Sequence, residues 1–426
     1  SAGANLRTCG ENVFLGTLAG RGATSEGSYS SIAIGKYTLM KTEGCYNIAI
    51  GEDAGRCHTT GIDNVLIGRF AGHSAASSGG TGNSNIFMGC YSGHSLTSGC
   101  YNIGLGAKAG AKLTTGNDNI IMGCFAGHHM TDTKFNIVMG MRAGCNMGTA
   151  DCNIFIGKCA GRGLDSSCDT NSGGLNIALG ESAGKCLTSG NSNFFGGYYS
   201  GRNITTGSQN IFIGTNSAHC WSTTSSNVVI GERAGSLGNG HANGKNVFLG
   251  RYAGARIESS CNIAIGHQAL IGSSTSSNNT GGSNISIGDR SGKCLTSGHD
   301  NVFIGSYTGD AVTSGGLNVA IGYGADVASP TGSCQLAIGM GGSCWISGDS
   351  SFNTTVCCIT ACKFYGDGSN ITGINAGFDP DADENLVAGT QAGANLDGTN
   401  ACFNVLLGAC AAKCQYSGTH NFVAGY

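Results

Sequence analysis

The stretch NIGLGAKAGAKLTTGND, residues 102–118, decides the fold. Its pattern starts again at Asn119, 17 residues on, and every step between anchor asparagines from Asn85 to Asn153 has that length. The same step recurs from Asn176 to Asn227 and from Asn284 to Asn318. The consensus is N-[IV]-x-[ILM]-G-x-x-[AS]-G-x-x-[LIM]-T-[TS]-G, and positions are counted here from its Asn. A short period sustained over a chain signals stacked supersecondary units, none of which can bury an apolar face alone.

Each part of the unit has a physical reading. Asn+1 and Asn+3 are aliphatic, as in Ile86 and Met88, Ile211 and Ile213, or Val302 and Ile304. Alternation with period two predicts a strand whose Asn+1 and Asn+3 side chains face the core. Gly at Asn+4 ends the strand, and the Ala-Gly pair at Asn+7 and Asn+8 lets a neighbouring backbone come close. A third apolar row follows at Asn+11 (Leu96, Leu113, Met130, Leu187, Ile204, Leu295), and Thr-Thr-Gly or Thr-Ser-Gly turns the chain into the next copy. The expected fold is all-β: a parallel β-solenoid or β-roll of 17-residue coils. At ~4.8 Å per coil, about 20 coils make a rod on the order of 100 Å long. Equivalent asparagines, among them Asn85, Asn102, Asn119, Asn136, Asn153, Asn210 and Asn301, are expected to stack as a side-chain amide ladder. Longer steps, such as Asn153 to Asn176, are insertions rich in Ser, Gly and Asn and belong in outer loops.

Composition agrees. Gly is 76 of 426 residues against 2 Pro, which excludes collagen, and charged residues are only 11%. A formal net charge of −3 gives no reason to expect nucleic-acid binding. No apolar run reaches the length of a membrane span, and Ser1 to Gly10 does not read as a signal peptide. The first anchor already stands at Asn12 and the last repeat is cut short at Tyr426, which suggests a mature form or a fragment of something longer. The 22 cysteines sit mostly where other copies carry Ser, Ala, Thr or Lys. They read as small, weakly apolar side chains, reduced or buried, with disulfides along the stack second and a metal site last.

The register defines three segments. A repeat array covers residues 1–340, with Gln335 in the anchor slot of its last copy. An irregular module covers 341–384 and contains FYGDGSNITGI at 364–374. Repeats resume over 385–426 from Asn385, with further anchors at Asn404 and Asn421.

Two resemblances follow from these strings. The NIAIGxxAG pattern resembles the head repeats of trimeric autotransporter adhesins, which are parallel β-rolls packed three to an axis. The whole repeat, together with the GDGS-x-[LI]-TG-[IL] string, is similar to repeat-rich bacteriophage tail-fibre proteins, marine ones especially. The resemblance implies a homotrimeric, host-facing fibre on a virion or otherwise extracellular, with a host-surface polysaccharide or receptor as partner and end-to-end filaments as a further form of self-association.

Candidate chemistry is sparse. The chain has no GxSxG, HExxH or P-loop string, so no enzyme and no cofactor is expected. Acidic residues are scattered, unlike the clustered carboxylates of a polysaccharide-degrading solenoid. Asp379, Asp381, Asp383 and Glu384 lack EF-hand spacing and read as a solvated turn rather than a Ca²⁺ site. Two rows are surface-ligand candidates. One is aromatic, at Asn+6: Phe70, Tyr91, Phe125, Tyr199, Tyr252 and Tyr307. It would stack on sugars or, as the preferred reading, pack against a neighbouring chain. The other is basic, at Asn+9: Arg56, His73, His94, His128, Arg162, Lys185, Arg202, His219 and Lys293. It reads first as a solvated edge and second as a stripe for anionic polysaccharide, or a histidine metal site on a three-fold axis. The leading expectation is a viral fibre or shaft. A cell-derived filament or adhesin is the alternative, and an ice-binding solenoid is disfavoured because Thr-Thr-Gly falls in a turn.

Overall fold

The computed structural model describes residues 2–3, 10–22, 29–74, 79–164, 172–237, 244–273 and 279–358, together with 386–388, 405–407, 411 and 422–424. The string at 364–374 and the acidic group from Asp379 to Glu384 lie outside the described residues. The chain divides into two compact units, Ser1–Cys358 and Ile359–Tyr426.

The first unit is a parallel β-solenoid. Nineteen strands, from Val13–Leu15 to Leu336–Met340, each fall in one coil, and all but the last have three residues. Equivalent residues pair throughout: Ile86 with Ile103, Phe87 with Gly104, Met88 with Leu105. The register survives the long steps, since Ile154 still pairs with Ile177 and Ile263 with Ile285. The added length in these steps therefore does not displace the strand register.

Gly at Asn+4 stops each three-residue strand of the array for a specific reason. Gly106 has φ +128°, and a Cβ there would stand 2.8 Å from the carbonyl carbon of Gly123 in the next coil. The residue at Asn+6 is left-handed whatever its type: Tyr91 has φ +58° and Phe125 +57°. That conformation costs about 1–2 kcal/mol in a residue with a side chain. Here it aims the N–H along the stack, so that Tyr91 donates to the Arg69 carbonyl at 2.9 Å and Phe125 to that of Ala107 at 2.9 Å.

The core corrects one expectation. The buried strand position is Asn+2, not Asn+1 and Asn+3. Phe212 is fully buried, while Ile211 and Ile213 on either side are 42% and 37% exposed. The other strands follow the same order. The Asn+2 side chain meets the third apolar row, buried as expected, and the Asn+7 alanines: Leu96, Leu113, Met130, Ala109 and Ala126 are all at 0%. The glycine at Asn+8 makes room for a core side chain rather than a backbone, since a Cβ at Gly110 would stand 2.9 Å from Cδ1 of Ile121. The interior is one residue wide at this level, so neighbouring coils must trade volume. Phe87 lies beside Gly104, where a Cβ would come within 2.3 Å of its ring. Trp221 packs edge-on between Phe212 and Phe248, with centroids 5.6 and 6.1 Å away.

The asparagine ladder is present. Asn102 donates its backbone N–H and its Nδ2–H to Oδ1 of Asn85, at 2.9 and 3.0 Å. The same Nδ2 also donates to the Gly116 carbonyl at 2.8 Å. The Asn102 amide thus ties the start of its own coil to its end and to the coil before. Gln335 continues the ladder, its N–H 2.9 Å from Oδ1 of Asn318. Ser31 interrupts it, taking the Asn47 N–H on its hydroxyl at 3.2 Å.

The parallel run ends at Gly341 and Gly342, whose φ values of +55° and +81° form a tight hairpin turn. Leu336–Met340 pairs antiparallel with Ser343–Gly348, which pairs antiparallel with Thr354–Val356. The start of the segment read as irregular is therefore an antiparallel extension of the same sheet. In the second unit Leu386–Ala388, Val405–Leu407 and Phe422–Ala424 form a parallel sheet in the repeat's register, with Leu406 buried.

Candidate functional site

The strand face is the most unusual surface of the first unit. Across nineteen coils, Asn+1 and Asn+3 hold only Ile, Val, Leu and Met, except Phe194 and Gly196. None of these positions carries a charge or a hydrogen-bonding side chain. The side chains cover one another along the stack yet remain partly open, as Ile48 at 36% and Met88 at 41% show. The result is a continuous apolar stripe on the order of 2,000 Å², where monomers rarely expose more than a few hundred.

The chain enters this face at one edge and leaves at the other, and the two edges differ in charge. Between Asn+5 and Asn+10, on the exit edge, the array places 17 of the 22 Lys and Arg residues against seven acidic ones. On the entry edge, between Asn+12 and the next Asn, the described coils place two basic and eight acidic residues. Some exit-edge acids pair with the neighbouring coil, as Glu181 does with Lys158 at 3.0 Å and Glu232 with Arg251 at 3.3 Å. Such exposed pairs add little stability and leave the edge basic.

Both candidate rows lie on the exit edge, and their members are half-exposed except Lys293, which is exposed. They form local clusters rather than two unbroken stripes. Phe70 and Tyr91 stack at 4.8 Å, and His73 and His94 stack at 4.9 Å with an interplanar angle of 10°. Phe125 meets His128 at 5.3 Å, and Tyr199 meets His219 at 5.9 Å. Arg202 lies over Tyr199 at 4.9 Å. Arg233 and Arg290 donate to the hydroxyls of Tyr252 and Tyr307 at 2.7 and 2.8 Å. Arg56 turns to Asp53 at 2.9 Å. Arg162 and Lys185 remain half-buried on the same edge. Burial lowers the His73, His94 and His219 pKa values, and it brings that of His128 to about 4 with help from His129, Lys112 and Lys108. These imidazoles are therefore neutral stacking rings at neutral pH, and the edge's positive charge comes from Lys and Arg.

The threonines and cysteines add detail. Thr97, Thr114 and Thr131 each donate a hydroxyl to a carbonyl of the next coil at 3.0–3.1 Å, so this row braces the turn. Sixteen described cysteines are free. All are partly or fully exposed, so of the reading as reduced or buried the burial does not hold. The described residues contain no group of three or more His, Cys, Asp or Glu placed to share a metal ion, and no helix long and apolar enough to cross a membrane.

The apolar face escaped sequence reasoning although its residues did not. The usable signal was the contrast at Asn+2, which runs from Gly104 to Phe303 while its neighbours stay aliphatic. No family model, curated protein or solved structure matches the chain.

Proposed function

We propose that the chain is a structural fibre or shaft protein whose copies pack through the aliphatic strand face, as in a viral tail fibre that presents a binding surface to its host. The observation that carries this reading is the uncharged, exposed face. Its area, on the order of 2,000 Å², exceeds the ~800 Å² per partner of a stable interface. A second solenoid is the partner whose side-chain rows repeat at the same spacing, so it fits the stripe along its whole length. The charge division supports parallel copies. Around an axis along the rod, each basic exit edge meets a neighbour's acidic entry edge, whereas antiparallel copies would face like edges together. The resemblance to tail fibres and adhesin heads supports three copies.

Electron microscopy of the chain with a gold-labelled N-terminal tag tests this reading, together with the mass in solution. The expected result is a multimeric rod with its labels at one end. Labels at both ends would overturn the parallel arrangement, and a monomeric mass would overturn the fibre reading.

A further inference from the structure

We propose that the break in the imidazole row at Ala111 is a binding slot for an acidic sugar residue of a surface polysaccharide. The row has one ring per coil at His73 and His94, stacked nearly parallel at 4.9 Å. The next coil carries Ala111 in that place, and the one after carries His128. One ring is missing from the stack. His94 and His128 lie two coils apart, ~9.6 Å at the strand spacing, which admits one ring-sized group between them. The cavity there has a volume of about 450 Å³ and is lined by Tyr91, His94, Ser95, Lys108, Ala111, Lys112 and His128. That lies within the range of small-molecule sites.

The lining names the ligand class. Lys108 holds its ammonium over the Phe125 ring at 4.7 Å, and Lys112 sits 3.1 Å from Nδ1 of His129. No acidic residue lines the cavity. Among the described residues neither ammonium is paired with a carboxylate. Two uncompensated cations favour an anion. Burial keeps His94 and His128 uncharged at neutral pH, so they offer ring surface rather than charge; His128 is tilted against Phe125 and His129, with centroids 5.3 and 4.6 Å away. The Tyr91 phenol and the Ser95 hydroxyl add polar partners. A pyranose presents C–H faces to rings, hydroxyls to such partners and, in a uronic acid, a carboxylate to lysines. The slot opens onto the side of the stack, so the sugar can be one unit of a chain running over the basic edge. This site extends the fibre reading by naming a ligand, but binding there does not require self-association, so either can fail alone.

Calorimetric titration of the full chain tests the proposal. The probes are a hexuronate tetrasaccharide, its carboxyl-reduced neutral counterpart, and benzoate. The wild-type chain should bind the hexuronate and prefer it several-fold to the neutral sugar. Ala111→His puts the row's own residue into the gap; it should leave thermal unfolding unchanged and weaken binding at least tenfold. Lys112→Gln should weaken binding several-fold, while Lys245→Gln on the entry edge should not. The proposal is overturned by no hexuronate binding at about 10 mM, by equal affinity for the neutral sugar, by unchanged binding in both slot variants, or by benzoate binding more tightly than the hexuronate.

Discussion

Asn119 donates both its backbone N–H and its Nδ2–H to Oδ1 of Asn102, at 3.1 and 2.9 Å, inside a fully buried row. One carbonyl oxygen thus fills two donors of the next coil while its own amide nitrogen serves the coil before. Asn102→Ala should leave the Asn119 backbone N–H and the Gly116 carbonyl without partners, while Asn119 Nδ2 keeps the Asn117 and Thr133 carbonyls, and cost about 2–3 kcal/mol. The loss should be local, because a repeat array unfolds by neighbouring coils rather than as one unit. Hydrogen exchange should show reduced protection across residues 85–119 and little change beyond residue 200; uniform protection would contradict the ladder's role.

Phe87 and Gly104 should behave as a coupled pair. Phe87→Ala empties the narrow core and should cost about 3–5 kcal/mol. Gly104→Ala should also destabilise, because its Cβ would meet the Phe87 ring at 2.3 Å. With both changes the new methyl occupies part of the vacated space, so the double variant should be more stable than the two losses sum to. Simple additivity in a double-mutant cycle would contradict the volume exchange.

His58 should make part of the array sensitive to acid. It stands in the Asn+11 apolar row, fully buried, with Nε2 3.0 Å from the Gly82 carbonyl. Burial lowers its pKa to about 4, and the hydrogen bond to Gly82 opposes this only in part. The folded pKa lies below the unfolded value of about 6.5, so the unfolded chain takes the proton first. Local stability should be complete above about pH 6.5 and fall by on the order of 3 kcal/mol as pH drops toward 4. His58→Leu restores the residue type of the row and should flatten this dependence. A pH profile of exchange around residues 47–85 that is the same in both proteins would contradict it.

The sequence made the period, the anchor, the third apolar row and the turns legible, because each rests on a residue type with one physical use. It misassigned the strand's two faces. Uniform aliphatics at Asn+1 and Asn+3 have the look of a core, and a mixture such as Phe87, Gly104 and Ile121 at Asn+2 has the look of a surface. The mixture is what a one-residue-wide interior requires when large and small side chains share it coil by coil. The gap at Ala111 was equally hidden. In one dimension it is a substitution in a variable row; only stacking turns a missing ring into a space between two others.

The outward direction of the aliphatic rows carries a prediction about single sites. Phe212→Asp should unfold its part of the stack, since it buries a charge. Ile211→Asp should leave circular dichroism and exchange protection of the solenoid nearly unchanged at a concentration where copies are separate. Equal disruption by both would contradict the face assignment.

The most direct measurement is the mass in solution, by light scattering, of the wild-type chain and of an Ile103→Lys, Ile211→Lys, Val302→Lys variant. The wild-type chain should have a whole multiple of the chain mass, with three as the expected number. The variant should be a folded monomer with the same β-sheet spectrum. A monomeric wild-type chain, or a variant that keeps the wild-type mass, would contradict packing of copies through the strand face.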